Sequence, residues 1–121
     1  MQISELQAVV VAALEDIKAQ DIKVIDVNGV SSFTDVMVIA SGSSTRQVKA
    51  LADKVVDECK KAGVRPLGVE GDREAEWVLV DLGDIVVHVM LPEIRDFYNL
   101  EKLWEMTPAN RQDGSQSGAG S

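Results

Sequence analysis

A single cysteine and a single histidine close off several kinds of chemistry at once. Cys59 has no partner for an internal disulfide, and His88 alone cannot complete a Cys/His metal cluster. A reducing compartment follows as the expectation, with no metal and no cofactor. Basic residues are also scarce: Lys+Arg number 12 against 20 Asp+Glu, giving a formal charge of -8 and a pI near 4.5. Such a surface repels phosphate backbones, which argues against direct nucleic-acid binding and favours encounter with a basic protein. Long apolar runs are missing too. The stretch from Ala8 to Leu14 falls far short of the ~20 residues that span a bilayer, and the start from Met1 to Glu5 carries no basic segment. The expectation is therefore a cytoplasmic protein without a membrane anchor.

What is present is a clear alternation of helix and strand signals. Leu6, Val9, Val10, Ala13, Leu14 and Ile17 recur at helical spacing, and Ser4 with Gln7 forms a candidate capping box. These predict an amphipathic helix from about Ser4 to Gln20. Ile22 to Val27 is rich in β-branched residues and stops at Asn28-Gly29, a turn pair. Val36 to Ala40 is a continuous apolar run, the mark of a central strand buried on both faces. A second helix follows on Val48, Leu51, Ala52, Val55, Val56 and Cys59, capped by Ser43 or Ser44 and stopped at Gly63. A short strand at 67–70 leads to a charged loop from Gly71 to Glu74.

Two further strands, at 77–82 and 85–91, flank Gly83-Asp84 and predict an antiparallel hairpin. A two-residue loop sets the register: Asp81 opposite Val86, Leu79 opposite His88, Trp77 opposite Met90. One hairpin face is then wholly aliphatic and suits a helix-covered core. The other carries Trp77, Leu79, Asp81, Val86, His88 and Met90, a mixture typical of protein interfaces. A plainer reading covers this face as well, with Trp77 as a core aromatic and His88 bonded to a neighbour such as Asp81. Pro92 opens a terminal helical stretch, whose Tyr98 and Trp104 are expected to pack that stretch or a dimer contact. Residues 107–121 are mostly small and polar and predict a disordered tail after a single domain at 1–106. The fold class is α/β or α+β, with a mixed sheet of about five strands flanked by helices.

Five segments carry a family resemblance. Ser31-Ser32-Phe33-Thr34-Asp35, Ala40-Ser41-Gly42-Ser43-Ser44, Val69-Glu70-Gly71, the hairpin from Trp77 to His88, and Phe97-Tyr98-Asn99-Leu100-Glu101-Lys102-Leu103-Trp104 resemble, in order, the signatures of the RsfS/Iojap family. The resemblance implies a nucleotidyltransferase-like sheet without catalytic activity, often homodimeric in isolation. It further implies a ribosomal silencing factor that binds the large subunit through its fourteenth ribosomal protein, blocks small-subunit association and represses translation. By matching position, Trp77, Asp81, His88 and Glu70 are the implied partner-binding residues.

A second function class has its own residues. Gly42-Ser43 at a helix start could hold a phosphate, and Glu70 and Asp72 with Asp81 a divalent metal, which together would suggest nucleotidyl transfer. The spacing argues against it, because that pattern needs its carboxylates on the strand directly after Gly-Ser, and here a whole helix intervenes.

Overall fold

The computed structural model describes residues 1–32 and 34–105, and of residues 103–105 the backbone alone. The expected tail at 107–121 and the Trp104 side chain lie outside it. Among the described residues nine elements follow in chain order: α1 (Ile3–Asp16), β1 (Gln20–Asp26), β2 (Val36–Ser41), α2 (Thr45–Lys61), β3 (Gly68–Glu70), β4 (Trp77–Asp81), β5 (Ile85–Met90), α3 (Pro92–Tyr98) and α4 (Leu100–Glu105). The strands form one sheet in the order β1-β2-β5-β4-β3. Its central pair, β2 and β5, is parallel, and all other neighbours are antiparallel.

The apolar run at 36–40 is the centre of this sheet, and every residue of β2 is buried. Covering both faces of a strand requires apolar side chains at successive positions, which is why no alternation is seen there. On one face lie α1 and α2. Leu6, Val10 and Leu14 of α1 and Val48, Leu51 and Val55 of α2 pack with Val38, Val80, Val87 and their neighbours in one cluster. Burying a Val or Leu side chain is worth about 1.5–3 kcal/mol, so this layer supplies most of the apolar driving force.

Two helix boundaries differ from the sequence reading. The cap of α1 is Gln2, not Ser4: its backbone N–H donates to Glu5 Oε1 at 3.0 Å, and Gln7 takes no part. The helix also ends at Asp16 and not near Gln20, because Lys18 turns left-handed (φ 62) and Gln20 already opens β1. The second helix does use Ser44, whose Oγ accepts the Gln47 N–H at 3.1 Å.

The opposite face of the sheet is covered only in part. Ile25, Val27, Met37, Ile39 and Met90 form a second buried cluster, closed by Ile94 of α3 and Leu100 of α4. Toward β4 and β3 the cover stops, and Leu79, Asp81 and Val86 remain half-buried. Among the described residues no helix is long and apolar enough to cross a membrane.

Candidate partner-binding face

The β4–β5 hairpin has the register expected from its two-residue turn, with Trp77 opposite Met90, Leu79 opposite His88 and Asp81 opposite Val86. Gly83 takes φ +89, and Asp81 Oδ1 accepts the Gly83 N–H at 2.9 Å, so the turn is locked by the side chain that precedes it. The plainer reading of His88, a bond to a neighbour such as Asp81, holds for the bond but not for that neighbour. Instead the Trp77 indole Nε1–H donates to His88 Nδ1 at 2.9 Å. The two rings lie 5.9 Å apart between centroids, inclined at 45°.

His88 is only 7 % exposed. Burial disfavours the charged imidazolium and pulls the imidazole from its usual 6.5 down to about 4. The neutral ring is also what the hydrogen bond demands, since an indole N–H can only donate and Nδ1 must offer a lone pair. Trp77 itself is half-buried and meets a second ring, Tyr98, at 4.9 Å and 49°. Tyr98 in turn meets Phe97 edge-on at 5.0 Å. Phe97 is 79 % exposed and Tyr98 52 %, so the aromatic row runs from the sheet out into solvent.

Acidic groups lie near Trp77 in the ladder and along the chain. Glu70 pairs with Leu79 across β3–β4, which puts its side chain on the Trp77 face at the sheet edge, exposed to solvent. Asp72, Glu74 and Glu76 are exposed in the loop just before Trp77. That loop is tight for a steric reason: Gly71 has φ +83, and a Cβ there would collide with the Trp77 carbonyl oxygen. The residues singled out from sequence, Trp77, Asp81, His88 and Glu70, therefore share one face. Three reach solvent at least in part, and His88 stays inside.

Sequence reasoning missed the group that holds α3 and α4 to this face. Arg95 is buried, with Nε and Nη2 donating to Glu101 Oε1 and Oε2 at 2.7 and 3.0 Å. Its Nη1 donates to Ser41 Oγ at 2.9 Å, at the end of β2. The guanidinium holds the Glu101 carboxyl below the usual carboxylate range. Tyr98 was expected to pack the terminal stretch or a dimer contact; it packs on Trp77 and remains half open to solvent.

The phosphate reading of Gly42-Ser43 meets an internal competitor. Ser43 N–H and Oγ–H both donate to Gln47 Oε1, at 2.7 and 2.8 Å, and Gln47 Nε2 ties on to the Ile17 carbonyl at 3.0 Å. The turn joins two helix ends. A Cβ at Gly42 would come within 2.9 Å of Val48, so the glycine serves close packing. Among the described residues no three His, Cys, Asp or Glu side chains converge as a metal site. Cys59 is buried, its thiol pushed up to about 11 chiefly by desolvation, and is inert as a nucleophile.

Comparison with known proteins bears on the fold and the family. The solved structure of a Chromobacterium violaceum protein superimposes with a TM-score of 0.85 at 46% identity, covering 98% of this chain and 92% of that one. A protein named "Ribosomal silencing factor RsfS" from the same species is 51% identical over 104 residues, 86% of this chain and 85% of that protein. A mouse protein named "Mitochondrial assembly of ribosomal large subunit protein 1" is 40% identical over 79% of this chain and 43% of its own length. A family model described as "Ribosomal silencing factor during starvation" matches residues 1–120, and the chain belongs to that family, RsfS.

Proposed function

We propose that this protein silences ribosomes by docking the outer hairpin face on the large subunit, through the fourteenth large-subunit ribosomal protein, and so hinders association with the small subunit and represses translation. The observation that carries the reading is the row Trp77, Tyr98 and Phe97, solvent-facing beside the uncovered half of the sheet and rimmed by Glu70, Glu74 and Glu76. Large aromatics at the centre of a patch are the usual anchors of an interface, and a carboxylate rim receives Arg or Lys from a basic partner. The name of the mouse relative points to the large subunit for that protein, and the family resemblance supplies the particular partner. Function is by occupancy, not catalysis, and the site of action is the cytoplasm. In isolation the same apolar row is available to a second copy, which accords with the implied homodimer.

The test is co-sedimentation with separated subunits, comparing wild type with Trp77→Ala after circular dichroism has shown both folded. Co-migration with the large subunit alone is expected, weakened about 30-fold or more by the substitution, as for an anchor residue worth ~2 kcal/mol. Absence of co-migration at low and moderate salt would sink the proposal.

A further inference from the structure

We infer that His88 is a positioning residue: it fixes the Trp77 indole in the orientation that the partner meets, without touching the partner itself. The inference rests on the docking reading of the hairpin face and refines it. His88 and Trp77 are not directly opposite in the ladder; Trp77 faces Met90, and His88 faces Leu79. The bond between them is therefore diagonal, across a distance that only long or aromatic side chains span.

A tryptophan side chain has two torsions. The Nε1–H to Nδ1 bond at 2.9 Å restrains the ring at its polar edge, and the tilted Tyr98 ring, 4.9 Å away between centroids, packs against it. Together these leave the half-buried indole one orientation, and ordering it before contact removes an entropic cost that a free ring would meet on binding. His88 is suited to this and to little else. At 7 % exposure and neutral, it offers a partner neither charge nor area. An aliphatic residue would fill the same buried place, and the adjoining Val87 and Val89 show that β5 is otherwise built of such residues. What the imidazole adds is the acceptor.

The experiment uses the full chain in a Trp104→Phe background, so that a single indole remains for NMR. His88→Leu keeps burial and removes the acceptor; His88→Asn retains an amide oxygen near the Nδ1 place. The indole ¹H–¹⁵N resonance and large-subunit affinity are both read. In His88→Leu the resonance is expected to move toward that of a water-exposed indole, with affinity falling about tenfold. His88→Asn is expected to restore both, which a purely space-filling role would not. Wild-type affinity in a folded His88→Leu, or lost affinity in a His88→Asn whose indole bond is intact, overturns the inference. Trp77→Ala separates the two levels. If it abolishes binding while His88→Leu does not, the face stands and the positioning role falls; if it has no effect, the face itself is wrong and the role goes with it.

Discussion

A histidine kept neutral by burial leaves a thermodynamic trace that can be measured without any partner. In the unfolded chain the imidazole takes up its proton near pH 6.5; in the folded protein it does so only near 4. Between those values the unfolded state binds more protons, so stability rises with pH across that window. Full stability is present above about pH 6.5 and is lost progressively toward pH 4, with a total of at most about 3 kcal/mol. Urea melts at pH 7.5, 5.5 and 4.5 are expected to show this decline, and His88→Asn is expected to flatten it. Glu101 gives an acid loss of a different position: its carboxyl is depressed by Arg95, so its contribution is lost only below its unfolded value of 4.5. A decline that begins below pH 4.5 in the wild type would contradict the neutral His88. Gly71 offers a second test at this scale. Gly71→Ala sets a Cβ against the Trp77 carbonyl at φ +83, and a loss of about 2 kcal/mol or more is expected in the same melts, with weaker large-subunit binding because Trp77 is displaced. The sequence put Trp77 and His88 on one face because a strand's period of two decides that much. It did not disclose their bond, since alternation says nothing of which diagonal neighbours meet.

Elements were legible in proportion to how local their causes are. The hairpin register followed from a two-residue turn, and β2 from an unbroken apolar run. The end of α1 did not follow, because a lysine, and not a glycine, takes the left-handed position there. Least legible was the arm formed by α3 and α4. Its helices have seven and six residues, too short to persist alone. What holds them is Arg95, which reaches Ser41 across 54 positions of sequence and Glu101 across six, and no periodicity links those three. Glu101→Ala would leave a buried guanidinium with Ser41 as its remaining side-chain partner among the described residues. Removing one member of a buried ion pair costs about 3–5 kcal/mol, more than so short an arm can absorb. Hydrogen exchange is therefore expected to quicken across 92–102 while β2 and β5 keep their protection. Uniform quickening throughout the sheet would show instead that arm and sheet unfold together.

At the scale of the whole molecule the two sheet faces have different tasks. One is sealed by α1 and α2 and supplies stability; the other is closed over Met37, Ile39 and Met90 by the arm and left open beyond Trp77. The division into a covered and a mixed face was visible in the hairpin's residue types, but the edge of the cover was not, because it depends on where Arg95 anchors. The chain as a whole carries a formal charge of -8. Charge and aromatic row should act on different steps of association. On the proposed docking, a field of that sign would accelerate encounter with a basic partner and be screened by salt, whereas desolvated ring contacts would govern how long the complex lasts. Raising salt from about 50 to 500 mM shortens the screening length from roughly 14 to 4 Å. The association rate with isolated large subunits, followed by surface-immobilised kinetics, is expected to fall about tenfold over that range with a much smaller change in dissociation. Trp77→Ala is expected to do the reverse, raising the dissociation rate at every salt concentration and leaving the salt slope of association as it was. If salt and Trp77→Ala moved the same rate constant, charge and ring would belong to one contact, and the separation of rim from anchor on this face would be wrong.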